Sequence, residues 1–191
     1  MSKQINLIDQ TYNPLDGFVF NSKSESTLLM SPAADCARLN LRIAQTNLQL
    51  AGKAFGLSIP STIGEMNSEE NRSALCLGPD EWMLMAEESN GQLILDNFSS
   101  LTKEVLFSLV DVGHRTVGIN ISGSAAAQVL NSGCPLDLDK MPSNSCTRSV
   151  LDKIQILIIK YDDESYRLEI VRSFAEFAWS FLSMASSKFE A

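Results

Sequence analysis

Histidine is almost missing from this chain: its 191 residues hold one, His114. One imidazole cannot build a histidine-rich metal centre, and any Ser-His or Cys-His couple would have to form around that residue. Cysteine is sparse as well. Cys36, Cys76, Cys134 and Cys146 include no C-x-x-C pair, so a tetrahedral zinc site would need four unrelated segments to converge. Free, partly buried thiols and no metal site are expected. Basic residues are outnumbered, with 15 Lys and Arg against 23 Asp and Glu and a net charge of −8. A phosphate-binding surface needs clustered cations, so neither nucleic acid nor an anionic membrane is an expected partner. No stretch approaches the roughly 20 apolar residues of a membrane-spanning helix. The opening "MSKQINLIDQTYNPLDGF" also lacks the apolar core of a secretory signal. A cytoplasmic location is expected. G-x-G-x-x-G and the Walker lysine are absent too, which removes the usual dinucleotide and phosphate loops.

What is present is the balance of a globular protein, 45% hydrophobic and 20% charged. Residues 1–26 are polar and turn-rich, and are expected to form a loose arm rather than core. Ser31-Pro32 looks like a helix start, with Leu39, Ile43, Thr46 and Leu50 at helical spacing and Gly56 as the stop. "PSTIGEMNSEENRS" looks like a loop. "ALCLGPDEWMLMA" predicts a hairpin around Gly78-Pro79-Asp80, with Trp82 and Leu84 on one face and Met83 and Met85 on the other. Ile94, Phe98 and Leu101 mark a second helix, and "VLFSLVDV" a strand buried on both faces.

The second half repeats the plan. "TVGINIS" alternates Val117, Ile119 and Ile121, and "GSAAAQVLNSG" is a short helix that Ser124 can cap. "KIQILIIKY" and "SYRLEIV" form a hairpin around Asp162-Asp163-Glu164. A last helix carries an S-x-x-E capping box, Ser173 and Glu176, before an apolar stripe of Phe174, Phe177, Ala178, Phe181, Leu182 and Ala185. The expected class is α+β: two fused ferredoxin-like (split βαβ) subdomains, 27–112 and 113–191, with helices packed on antiparallel sheets. They join without a linker at "VDVGHRTVG".

Chemistry is hard to place. His114 has Asp111 as a possible orienting acid, but the two, three apart on a strand, point to opposite faces unless Gly113 bends the chain. Neither Ser nor Cys stands in a nucleophile context, so no catalytic residue is expected. "ISGSAAA" is better explained as an ordinary helix start than as an anion site. His114 and Arg115 are expected to hold the crossing between halves or to meet a partner, and Trp179 to flank the helix seam or meet a partner.

These residues also carry a resemblance. In order, "ALCLGPDEWMLMA", "LVDVGHRTVGINISG", "LNSGCPLDL", "CTRSVL" and "YRLEIVRSFAEFAWSFL" resemble the gamma subunit of heterotetrameric sarcosine oxidase, across roughly residues 36 to 183. That family is a shortened relative of the folate-binding aminomethyltransferases. Gly113 stands where those carry Ser or Thr before the histidine, and Ser124 where they carry Pro. The resemblance implies a non-catalytic structural subunit, without cofactors of its own, packed against alpha, beta and delta partners. FAD, FMN, NAD, tetrahydrofolate and zinc are implied on those partners. The implied reaction of the whole assembly is oxidative demethylation of sarcosine to glycine. Its one-carbon unit passes to tetrahydrofolate or leaves as formaldehyde, and oxygen is reduced to hydrogen peroxide. Two alternatives stand beside it: the small subunit of N-methylglutamate dehydrogenase, and a stand-alone folate-binding one-carbon protein. The last would need an acid to hold a pterin ring, for which Asp111 and Asp152 are the candidates.

Overall fold

A computed structural model describes residues 13–20 and 27–189. The strands are β1 (Leu29–Pro32), β2 (Cys36–Ile43), β3 (Met66–Glu69), β4 (Arg72–Gly78), β5 (Glu81–Glu87), β6 (Phe107–Asp111), β7 (Thr116–Ser122), β8 (Ser145–Leu151), β9 (Ile154–Lys160) and β10 (Ser165–Val171). The helices are α1 (Leu48–Phe55), α2 (Gly91–Ser99), α3 (Ala126–Asn131) and α4 (Ala175–Ser186). The strands form two antiparallel sheets, ordered β3-β4-β5-β2-β6 and β8-β9-β10-β7-β1. The protein is α+β. Among the described residues no helix is long and apolar enough to cross a membrane.

Period-2 alternation in the strands gives each sheet two apolar faces, and both are used. Leu39, Leu41, Trp82 and Leu84 face outward onto α1 and α2. Val117, Ile119, Ile121 and Leu168 face outward onto α3 and α4. The opposite faces, with Leu75, Met85, Cys146, Leu157 and Ile159, pack against each other. The order of layers is therefore helix, sheet, sheet, helix. The hairpins at Gly78-Pro79-Asp80 and Asp162-Asp163-Glu164 lie where the turn residues placed them, and Trp82 and Leu84 share one face as the alternation required.

The two sheets match register for register. Leu41 pairs with Trp82 where Ile121 pairs with Tyr166, and Asn40 pairs with Val110 where Asn120 pairs with Ser31. Even the hydrogen bond beyond each edge strand recurs: Val112 N–H donates to the Arg38 carbonyl at 2.8 Å, and Ala33 N–H to the Gly118 carbonyl at 2.9 Å. By this match β1 occupies in the second sheet the slot that β6 occupies in the first.

That placement corrects several expectations. Residues 29–43 are two strands, not a helix: Leu39, Leu41 and Ile43 alternate, and a spacing of four satisfies a period of two as well as one of 3.6. Pro32 is tolerated because β1 is an edge strand, and the α-helix is confined to Leu48–Phe55, entered from a 3-10 turn at Gln45–Asn47 and ending at Gly56 with φ +82°. The boundary 27–112 also shifts, since β1 belongs to the sheet of residues 113–191. The "PSTIGEMNSEENRS" loop contains β3, and β8 is a further strand. "VLFSLVDV" is not buried on both faces; β6 is an edge, with Leu106 93% and Val110 51% exposed.

Neither cap forms. Ala125 and Phe174 take the N-cap positions without side-chain bonds, and α4 is entered from a 3-10 turn at Arg172–Phe174. Entry through that turn places Ala175, Ala178, Trp179, Leu182 and Ala185 on the buried face and leaves Phe174 largely exposed. The arm is not loose throughout: Leu15 is fully buried, and Phe18 meets Trp179 edge-on at 5.7 Å. Residues 1–12 and 21–26 of the arm lie outside the described residues.

Candidate functional site

Two short segments carry the chain from one sheet to the other: 33–35 joins β1 to β2, and 112–115 joins β6 to β7. The second holds His114. Asp111 Oδ1 accepts the Gly113 N–H at 2.8 Å, which folds an Asx turn, and Arg115 N–H closes onto the Val112 carbonyl at 2.9 Å. The turn is tied to both sheets, because Val112 N–H donates to Arg38 and Arg172 N–H donates to the Arg115 carbonyl at 2.9 Å. Arg172 Nη1 adds a bond to the His114 carbonyl at 3.4 Å. His114 and Arg115 are exposed, and the imidazole makes no hydrogen bond among the described residues. Gly113 bends the chain as required, yet the Asp111 carboxylate holds the turn and forms no bond to the imidazole. No base with its orienting acid results.

Beside this crossing the two sheets are joined by a buried ion cluster. Arg38 is 1% exposed, and its Nε donates to Glu169 Oε2 at 2.6 Å. Arg167 Nε donates to Glu169 Oε1 at 2.7 Å, and Arg167 Nη2 to Cys36 Sγ at 3.3 Å. Two guanidinium groups thus share one carboxylate. Burial pushes the Cys36 thiol above its ordinary value, and the neighbouring Arg167 and Arg38 offset this only in part. Cys36 is a protonated thiol at neutral pH, not a primed nucleophile.

A second ionic link lies at another corner. Glu81 on β5 accepts both Arg148 Nη groups, at 2.6 and 3.0 Å, and Arg42 Nη2 at 3.1 Å. The bonds from Arg148 hold its carboxyl below the ordinary range. Sequence reasoning missed both links. The signal of the first is present, however, as charges set between apolar residues in "CARLNLRI" and "YRLEIV".

Two cavities open on these features. A small one, about 140 Å³, lies at the crossing between Asp35, Arg38, Glu88, Asp111, His114 and Arg172. A larger cleft of about 790 Å³ runs between β3–β4 and β8, past Met66, Asn67, Leu77, Met141, Ser143 and Arg148. Its polar side chains are largely bound to protein already: Asn67 to the Ser58 carbonyl, Ser143 to Asp163, Arg148 to Glu81.

The two acids considered for a pterin are not brought together. Asp111 is committed to its turn beside a cavity below the roughly 300 Å³ of small-molecule pockets. Asp152 sits in the β8–β9 turn at φ +53°, outside both cavities. Neither fits the group. Trp179 is 5% exposed and packs inside the second core. Among the described residues no cluster of His, Cys, Asp or Glu is placed to hold a metal ion.

The model of the sarcosine oxidase, gamma subunit family matches residues 42–188. The chain belongs to that family. It is 28% identical over 172 residues to the sarcosine oxidase subunit gamma of Corynebacterium sp. (strain U-96), covering 87% of this chain and 83% of the relative. It is 29% identical over 140 residues to that of Corynebacterium sp. (strain P-1), covering 72% and 68%. A chain of the heterotetrameric sarcosine oxidase from Corynebacterium sp. U-96 has the same fold, with a TM-score of 0.81, 28% identity and 89% of each chain covered. Aminomethyltransferase T of the glycine cleavage system from Bartonella henselae shares the fold at a TM-score of 0.65 and 12% identity, over 82% of this chain and 45% of that one.

Proposed function

We propose that this gamma-subunit family member is a non-catalytic structural subunit of a cytoplasmic, heterotetrameric sarcosine oxidase, held by alpha, beta and delta partners. In this reading FAD, FMN, NAD, tetrahydrofolate and zinc reside on the partners, which together demethylate sarcosine oxidatively to glycine. The observation that carries it is the likeness to a chain of the heterotetrameric enzyme over 89% of both chains. The geometry of the crossing supports a docking role. A turn whose backbone is bonded to both sheets presents His114 and Arg115 to solvent on a rigid base, so a partner meets them without ordering a loop. The chain is read as two intimately packed α+β units whose relative position is fixed by the buried ion cluster.

The test is co-expression of the tagged chain with the large subunits encoded beside it. Equimolar capture of those subunits is expected, together with self-association of the chain when expressed alone. Replacing His114 and Arg115 by alanine should weaken capture several-fold while the melting temperature of the free chain stays put, since exposed substitutions rarely exceed about 0.5 kcal/mol. A monodisperse monomer that captures no partner sinks the proposal. So does an H114A complex that assembles normally yet is catalytically dead.

A further inference from the structure

The first sheet is completed by consecutive chain: α2 leads through a 3-10 turn at Ser100–Lys103 into β6, which pairs with β2. In the second sheet no described strand follows α4, and the equivalent slot beside β7 is filled by β1, from the other end of the chain. The slot is built to receive a strand. Gly123 adopts φ +112°, and a Cβ there would lie 2.6 Å from the Thr27 carbonyl oxygen. The same carbonyl accepts the Ala125 N–H at 3.0 Å. At the exit, a Cβ on Gly118 would lie 2.7 Å from Ala33 Cβ. Between these two close approaches Leu28 and Met30, two residues apart, sink into the core at 0% and 3% exposure. The slot therefore recognises an extended segment with alternate apolar side chains and a small residue at its exit.

The strand that fills it is lightly paired, although Leu15 and Phe18, ahead of it in the chain, also pack on the second core and would have to let go or travel with it. β1 is four residues long, pairs on one side only, and connects to β2 through residues 33–35 alone. Its departure breaks one ladder and leaves the seven-residue β10 on β7.

We propose that β1 is an exchangeable donor strand, and that the slot along β7 accepts the same segment from a second copy of this chain. A strand in a neighbour's slot makes the same hydrogen bonds and buries the same Leu28 and Met30 as in its own. Exchange is then governed by the short hinge and by protein concentration. This inference concerns the chain by itself and does not depend on the partners proposed above.

The register supplies the test, because half-buried Ser31 stands opposite exposed Asn120, on the face of the sheet away from α3 and α4. Full-length chains carrying Ser31→Cys alone and Asn120→Cys alone are purified folded and reduced, mixed, incubated, and then oxidised. A disulfide-linked species of twice the mass is expected, increasing with concentration and absent when either variant is mixed with the unsubstituted chain. Adding Gly123→Ala to the Asn120→Cys chain should reduce its yield, because the slot no longer admits Thr27. The S31C/N120C double variant, oxidised at high dilution, establishes that the pair can bridge. If the double variant bridges internally while the mixed single variants give no cross-linked dimer at any concentration, the proposal is overturned.

Discussion

Removing the Glu169 carboxylate tests what joins the two sheets. Glu169→Ala deletes the one anion between Arg38 and Arg167, and with it two short charge-assisted hydrogen bonds of 2.6 and 2.7 Å. Bonds of that kind contribute about 1.5–3 kcal/mol each. Arg38, at 1% exposure, is left without a counter-charge beside a second guanidinium. Breaking a buried pair from one side costs about 3–5 kcal/mol, a large part of the roughly 5–15 kcal/mol that holds a domain folded. For a chain of this size the melting temperature should drop by on the order of 10 °C. Glu169→Gln keeps the shape and one acceptor, so it should fall in between. Adding Arg38→Met to Glu169→Gln removes the stranded cation and should restore part of the loss. Urea unfolding of the four chains of that cycle, in low and high salt, measures the coupling. The coupling should change little with salt, because buried charges are poorly screened. A loss below about 1 kcal/mol for Glu169→Ala would refute the reasoning, since water would then be reaching Arg38.

Two further outcomes follow from burial and close packing. Burial pushes the Cys146 thiol from 9.0 up to about 12 and the Tyr166 phenol from 10.0 up to about 12. Between those values the unfolded chain loses protons that the folded chain keeps, so unfolding is favoured and stability falls as pH rises from about 9 to about 12. Urea midpoints that stay level across that range would contradict this. Gly133→Ala would bring a Cβ within 2.7 Å of the Phe181 ring and 2.9 Å of the Asp152 amide nitrogen. Overpacking of this kind costs about 1–3 kcal/mol. Trimming Phe181 to leucine should recover only part of that in thermal melts, because the second clash is with backbone; full recovery would place the whole strain on the ring.

Where the chain's neighbours in space are also neighbours in sequence, the residues announced the structure. Gly78-Pro79-Asp80 and Asp162-Asp163-Glu164 sit between alternating apolar runs and make hairpins. Val117, Ile119 and Ile121 share a face, and the crossing at His114 lies where two strand patterns abut. Distance hid the rest. β1 is short, and its partner β7 lies far along the chain, so Ser31-Pro32 could mimic a helix start with nothing local to contradict it. β3, "MNSE", is a polar edge strand without alternation. Arg38 and Glu169 are 131 residues apart, and neither strand by itself shows where its charge will find a partner. At the site, sequence placed His114 and Arg115 on the crossing but not the task of Asp111, because an Asx turn needs only an acid two residues before an amide.

The matching registers bear on descent and design. Traced through space, the ribbon runs from β2 through α2 to β6, then from β7 through α4 and back to β1: one plan executed twice, with the last strand of the second copy written first. A circularly permuted gene that began near residue 34 and carried residues 27–33 after residue 189 would encode a plain tandem duplication. In such a chain the segment at 112–115 would be the joint between copies, and the one at 33–35 would be its twin, cut open by the new termini.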